Sequence, residues 1–178
     1  MRLKILFSLI ISVSAICSCN SKTDPEAMPG VPATIKAVED EIKGNKYEAE
    51  KAGTHSLFKD DNSIEWLEPK EENKFEKKIA DESKSLRFDF INDTAITVAY
   101  NNKTYEGTYR LDENTGEDEK PGIKLRVSYT DEDFKLGNEA ASVVTYTYLV
   151  EGISNAKLLL ETPRSMNNRK IVVLMKKL

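Results

Sequence analysis

The stretch from Leu86 to Leu111 constrains the fold more than any other part of this chain. It reads LRFDFINDTAITVAYNNKTYEGTYRL, and apolar residues occupy alternate positions in three consecutive runs. A period of two with one apolar side indicates β-strands that bury one face of a sheet. Asn92-Asp93 and Asn101-Asn102-Lys103 separate the runs, and Asn and Asp accept the left-handed backbone of tight hairpin loops. The stretch therefore predicts three strands of an up-and-down meander.

The rest of the chain extends this pattern with further strands, and we expect a barrel of about eight to nine. A short helix is predicted at residues 34–43, where apolar residues have helical spacing and Thr34 can cap the first turn. The charged stretch 68–85 reads either as a short amphipathic helix or as a solvated loop. The remaining strands are predicted at residues 44–52, 54–58, 63–67, 123–129, 144–150, 157–162 and 169–176. Without long βαβ helices, such strands either stack as a sandwich or close as a barrel. We favour an all-β, antiparallel up-and-down barrel, because closure removes exposed strand edges.

The first nineteen residues resemble a signal that directs the protein to the cell envelope. Basic residues at positions 2 and 4 precede an apolar run that is too short to span a membrane. The sequence Ile16-Cys17-Ser18-Cys19 resembles the lipobox of bacterial lipoproteins, with an aliphatic residue three before Cys19 and a small residue just before it. The resemblance implies cleavage before Cys19 and lipidation of that residue, and the alternative is an ordinary secretory signal peptide. The predicted divisions are a signal peptide at 1–18, a lipid-anchored flexible tether at 19–34 and the barrel domain at 35–178.

The charge of the chain bears on its partners. It carries 26 Lys and Arg against 30 Asp and Glu, a net charge of −4, and loss of residues 1–18 gives 24 − 30 = −6. An acidic domain repels phosphate backbones, which argues against a nucleic-acid partner. It would therefore contact the membrane through the Cys19 lipid. Asn20 follows the anchor, which in the resembled class argues against retention at the inner membrane. The expected location is the outer membrane, and exposure to the periplasm or to the cell surface stays open.

The barrel domain resembles the lipocalin-like lipoproteins of Gram-negative bacteria. The resemblance rests on the N-terminal helix that leads into Gly44-Asn45-Lys46-Tyr47, on Tyr105-Glu106-Gly107-Thr108-Tyr109, and on the late strands LLLET and IVVLM. Lipocalins begin their first strand with Gly-x-Trp. Here the aromatic residue is Tyr47, one position later, and the resemblance gives Arg169 the part of the basic residue that covers it. It also implies that the barrel holds small apolar ligands.

Aromatic residues supply the candidate binding site. Six tyrosines fall in phase with the apolar faces of their strands, and tyrosine combines an apolar body with one polar tip. Gly107 lies between two of these aromatic residues, so its missing side chain would leave a slot for a ring or a ligand. The predicted ligand-binding residues are Trp66 at the rim and Tyr105, Gly107, Tyr109, Tyr146 and Tyr148 in the wall. The alternative is that the tyrosines simply pack the interior.

Catalytic and metal chemistry find little support in the sequence. His55 is the only histidine and both cysteines lie at the signal boundary, so we expect His55 to be a strand or turn residue and expect no metal site. The acidic stretch 112–118 lacks the ligand spacing of a calcium loop and reads as a solvated hairpin loop. The predicted function is non-enzymatic binding of a small apolar or amphipathic ligand, without a cofactor. The alternatives are a packed barrel that serves as a structural lipoprotein or binds an envelope protein as an inhibitor or immunity protein, and, less favoured, a hydrolase.

Overall fold

The computed structural model describes residues 28–56, 63–67, 74–115, 121–133, 142–162 and 169–178. The predicted signal peptide and Cys19 lie outside these residues. The described helices are α1 (Ile35–Ile42) and α2 (Lys74–Lys84). The described strands are β1 (Lys46–Ser56), β2 (Ile64–Trp66), β3 (Arg87–Phe90), β4 (Ala95–Tyr100), β5 (Lys103–Asn114), β6 (Gly122–Asp131), β7 (Ser142–Ile153), β8 (Lys157–Glu161) and β9 (Arg169–Lys177).

The strands form one closed antiparallel barrel. Strands β3 to β9 pair in sequence order, and β1 pairs with β3 on one side and with β9 on the other. This closure gives eight barrel strands, while β2 is an additional strand beside the far end of β1. The predicted up-and-down barrel is therefore confirmed, and the sandwich is wrong. Residues 44–52 and 54–58 were predicted as separate strands, but β1 is continuous to Ser56 with a register shift between Ala49 and Lys51.

The predicted meander is also confirmed. Strands β3, β4 and β5 pair as consecutive hairpins. Asn101 and Asn102 connect β4 to β5 and have φ angles of 49° and 62°. Two successive left-handed residues match the hairpin turn whose twist suits the flanking strands, and asparagine adopts this backbone more readily than most residues.

Helix α1 closes one end of the barrel. Thr34 is the N-cap of α1, and its hydroxyl accepts a hydrogen bond from the Ala37 backbone N–H at 3.2 Å. Val38 and Ile42 are fully buried against the barrel core, which confirms the amphipathic helix predicted from their spacing. Phe90 fills the same end, where its ring meets others edge-on. Because helix and rings occupy this end, any internal space must lie toward the other.

The lipocalin-like pairing of Arg169 with Tyr47 does not form. In the register between β1 and β9, Tyr47 lies opposite Lys177, whereas Arg169 lies opposite Ser56 at the far end of β1. The Arg169 guanidinium is 3.4 Å from the Glu65 carboxylate. That part of the resemblance is therefore wrong, because antiparallel pairing carries the start of β9 away from the start of β1.

The outer face of the barrel carries a second apolar cluster. Leu159, Val172 and Leu174 are buried there, at positions that alternate with the core residues of β8 and β9. Ile64 and Trp66 of β2 pack against them. Trp66 thus lies with the outer cluster and not at the rim of a cavity, where the sequence predicted it.

Part of the predicted tether lies on the barrel. Gly30 forms an isolated bridge with Ile153, whose backbone N–H donates to the Gly30 carbonyl at 2.8 Å. Pro29 is buried, and a Cβ on Gly152 would lie 2.5 Å from the Pro29 carbonyl oxygen. The chain is therefore in contact with β7 before α1 begins. Neither described helix has the length and apolar character needed to cross a membrane.

Candidate ligand-binding cavity

A cavity of about 220 Å³ lies toward the end of the barrel away from α1. Its apolar lining comes from β3, β4, β6 and β9 and from the residue just before β3. The lining residues are Leu86, Phe88, Val98, Val127, Ile171 and Val173. Helix α2 contributes Glu82 and Ser83, β7 contributes Thr147, and Thr162 follows the end of β8. Sites for drug-sized ligands start at roughly 300 Å³, whereas an engineered apolar cavity of about 150 Å³ holds benzene. The volume therefore suits one ring with a short substituent.

Four tyrosines complete the lining, namely Tyr100, Tyr129, Tyr146 and Tyr148. Tyr129 of β6 stacks on Tyr146 of β7 with ring centroids 5.7 Å apart. It also stacks on Tyr105 of β5, with ring centroids 4.6 Å apart. Tyr148 meets a lining phenylalanine edge-on at 6.0 Å. Tyr146 is 45% exposed, so this aromatic surface continues from the interior into solvent.

Three of the lining tyrosine hydroxyls, those of Tyr100, Tyr129 and Tyr148, are held in their neutral form. Burial raises the pKa of Tyr129 and of Tyr148 above the ordinary value, and the neighbouring Tyr146 adds to both shifts. Burial, reinforced by the Glu82 carboxylate, raises the pKa of Tyr100 to about 12. Near neutral pH these hydroxyls therefore offer hydrogen bonds without carrying charge.

Hydrogen bonds attach the end of α2 to the hairpin between β4 and β5. The Tyr100 hydroxyl donates to the Glu82 carboxylate at 3.2 Å. The Asn101 backbone N–H donates to the Ser85 hydroxyl at 3.0 Å, and this hydroxyl donates to the Glu82 carbonyl at 2.7 Å. The left-handed turn at Asn101 thus helps to hold the Glu82 carboxylate at the cavity. The predicted alternatives for this stretch were a helix and a loop, and α2 confirms the helix.

The structure brings only two of the six predicted ligand-binding residues to the cavity, Tyr146 and Tyr148. Tyr105 reaches it only through its stack on Tyr129. Tyr109 lies at the α1 end, where its hydroxyl donates to the Asn92 carbonyl at 2.7 Å. Whether any of these residues binds a ligand stays a prediction.

Gly107 does not leave the expected slot. A Cβ at this position would lie 2.4 Å from the Ser128 carbonyl oxygen and 3.0 Å from the Tyr129 Cβ. The backbone of β6 therefore occupies the space that was predicted for a ring or a ligand. Gly107 permits close approach of β5 and β6, and through Tyr129 it affects the cavity indirectly.

Sequence reasoning missed six lining residues that carry polar groups, namely Glu82, Ser83, Tyr100, Tyr129, Thr147 and Thr162. Tyr100 and Tyr129 had the same apolar phase as the chosen tyrosines, so that phase was the available signal. No sequence signal identified Glu82, because its position depends on how α2 packs against the barrel. The missed residues carry one carboxylate and five hydroxyls.

A charged group on the outer face provides the other cluster of functional side chains. Glu161 is buried, and its carboxylate lies 2.8 Å from His55 Nδ1 and 2.8 Å from Lys170 Nζ. His55 lies in β1, which confirms the strand position expected for it. A carboxylate satisfied from both sides is typical of a structural ion-pair network. Among the described residues, no group of three or more His, Cys, Asp and Glu side chains is arranged to hold a metal ion.

The barrel with its cavity is compatible with a lipocalin-like architecture, and the geometry gives an apolar chamber, an aromatic wall and one carboxylate. Such a site can enclose a small molecule and orient it by one or two hydrogen bonds. It contains no described pair of carboxylates and no histidine, so acid–base chemistry has few candidates among the lining residues. Comparisons with protein families, with curated proteins and with solved structures find no match to this chain.

Proposed function

We propose that this protein is a lipid-anchored envelope protein whose lipocalin-like barrel binds one small apolar or amphipathic molecule without chemical conversion. The observation that carries the proposal is the cavity of about 220 Å³ with its apolar lining and its tyrosines. Burial of an apolar ring in such a chamber contributes roughly 25 cal/mol for each Å² removed from water. The tyrosine hydroxyls and Glu82 would then select and orient the polar end of the molecule.

The non-enzymatic part of the proposal rests on the described lining. It contains a single carboxylate, whereas a glycosidase-type site needs two. His55 lies in the outer ion-pair group with Glu161, so it is unavailable as a base for a molecule inside the barrel. No cofactor is proposed for the same site.

A second function is favoured by the small volume of the cavity. At about 220 Å³ it is below the roughly 300 Å³ at which sites for drug-sized ligands begin, and large side chains fill the α1 end. A barrel packed to this degree also suits a structural lipoprotein, or a protein that binds an envelope partner through its surface as an inhibitor or immunity protein. Native mass spectrometry of protein from its own envelope separates the two functions. A co-purifying small molecule supports the first, and a co-purifying protein supports the second.

A direct test uses para-fluorotoluene as an apolar probe, followed by fluorine NMR. The protein for this test is the mature chain carrying Cys19→Ala, which lacks only the predicted anchor. Val127 lines the cavity and is 1% exposed, so Val127→Phe should fill the chamber and abolish binding. Val143 is 68% exposed on the next strand, and Val143→Phe is the matched control. Equal binding by the wild type and a folded Val127→Phe variant would refute a site in this cavity.

The anchor and the location are proposals that rest on the lipobox-like sequence ending at Cys19. Three acyl chains, the usual modification of the resembled class, would hold an acidic domain at the outer membrane through apolar burial alone. Cys19→Ala should move the protein from the membrane fraction to the soluble fraction. A Cys19→Ala protein that stays in the detergent phase would contradict the anchor.

A further inference from the structure

The charge of the cavity lining bears on the class of ligand. The described residues that line it include the Glu82 carboxylate and no lysine or arginine. An anionic ligand placed there would lose its water without gaining a cationic partner, and burial of an unpaired charge is costly. The described lining therefore disfavours carboxylate and phosphate amphiphiles.

Glu82 is arranged to meet a positive group. One carboxylate oxygen accepts from the Tyr100 hydroxyl at 3.2 Å, and the other lies 3.7 Å from Lys78 Nζ. The Lys78 side chain is 71% exposed, and exposed pairs of this kind contribute little stability. The Glu82 side chain is 38% exposed and lines the cavity, so a ligand cation in the cavity can compete with Lys78 for this carboxylate.

The tyrosine rings provide a second attraction for a cation, in addition to the Glu82 carboxylate. The faces of aromatic rings are electronegative, and they attract ammonium groups that lie within about 6 Å of the ring centre. Tyr129 and Tyr146 are stacked at the cavity, and Tyr148 lies on the same strand as Tyr146. Tyr100 brings a fourth ring beside Glu82.

We propose that the cavity binds a small organic cation, an amine or a quaternary ammonium group attached to one apolar ring. This inference rests on the proposed ligand-binding function and names its ligand class. The ring occupies the chamber lined by Phe88, Val98 and Val127, and the cationic group lies among the tyrosines next to Glu82. The neutral state of the hydroxyls supports the assignment, because ionised tyrosines are absent near neutral pH and the carboxylate supplies the formal charge.

The test compares three competitors of similar size for displacement of para-fluorotoluene. They are benzyltrimethylammonium, its uncharged isostere neopentylbenzene, and the anion phenylbutyrate. The cation should bind about tenfold more tightly than the isostere, and the anion most weakly. Glu82→Gln should lower the affinity for the cation about tenfold and leave the isostere unchanged.

Asp81→Asn is the matched control, because Asp81 is an exposed neighbour on α2 that does not line the cavity. It removes the same charge from the acidic protein, so a loss of cation affinity equal to that of Glu82→Gln would overturn the local role of Glu82. Equal or tighter binding of the isostere or the anion would overturn the inference while the proposed function stands. If neither para-fluorotoluene nor the cation binds by direct titration, both proposals are wrong.

Discussion

Replacing Gly107 by Ala should destabilise the barrel, because the new Cβ would lie 2.4 Å from the Ser128 carbonyl oxygen. An ordinary van der Waals contact of a Cβ begins at 3.4 Å, so β5 and β6 must separate locally by about 1 Å. Overpacking typically costs about 1–3 kcal/mol, and the clash is with backbone, which cannot rotate away. Loss of the flexible glycine from the unfolded chain returns about 0.4–1 kcal/mol. We expect a net loss of about 1–2 kcal/mol.

Thermal unfolding measures this loss directly. For a domain of this size, each kcal/mol shifts the midpoint by about 2–4 °C, so Gly107→Ala should lower it by about 2–8 °C. Gly122 is the matched control at the start of β6, since a Cβ there would meet nothing within 4 Å. Gly122→Ala should leave the midpoint unchanged or slightly raised. If Gly107→Ala and Gly122→Ala change the unfolding midpoint equally, Gly107 is not required for the close approach of β5 and β6.

The same variant bears on the cavity. Gly107 lies opposite Tyr129 in the register of β5 and β6, and Tyr129 lines the cavity. A shift of β6 should therefore weaken binding of para-fluorotoluene together with the loss of stability. Unchanged binding in a destabilised but folded variant would show that the position of Tyr129 does not control the site.

Three further predictions concern other parts of the molecule. Lys170→Met leaves the buried Glu161 carboxylate short of one partner and should cost about 3–5 kcal/mol in urea unfolding. Lys176→Met, on the same strand but in a pair whose lysine is 49% exposed, should cost about 0–1 kcal/mol, and equal losses would contradict the reasoning. Because the pKa of Tyr100 is raised to about 12 in the folded protein from about 10 when unfolded, its contribution is complete below pH about 10 and declines as pH rises toward 12. Tyr100→Phe should therefore flatten the alkaline fall in stability, and an unchanged pH profile would exclude the shift. Thr34→Ala removes the cap of α1 and should cost about 1 kcal/mol by thermal unfolding, whereas a wild-type midpoint would mean that the cap contributes nothing.

Periodicity was sufficient to predict the strands, whereas the choice of a barrel over a sandwich rested on the argument that closure removes exposed strand edges. Each strand from β3 to β7 is long enough for its alternation to identify an inward face, and the asparagines at 101–102 marked the turn. The spacing of Val38 and Ile42 likewise predicted α1 and its buried side. These features are local, so the residues that produce them lie close together in the chain.

The candidate site was less predictable because it depends on distant pairings. β2 has three residues, too few for alternation to say which face its Trp66 would take. Gly107 is explained by the approach of β6, and no pattern within β5 reveals that distance. Glu82 reaches the cavity from a helix whose crossing is fixed by tertiary contacts, and Arg169 was assigned by analogy to a position that the register of β9 does not allow.

The pairing of β1 with β9 makes folding depend on the last part of the chain. Tyr47 lies opposite Lys177 and Ser56 opposite Arg169, so the first barrel strand completes its hydrogen bonds only after the final strand has been synthesised. Until then β1 and β8 each present an open edge, which is a template for association with other chains. Contacts so distant in sequence also slow folding. A nascent chain of this protein would therefore expose these two edges until β9 is available to pair with both.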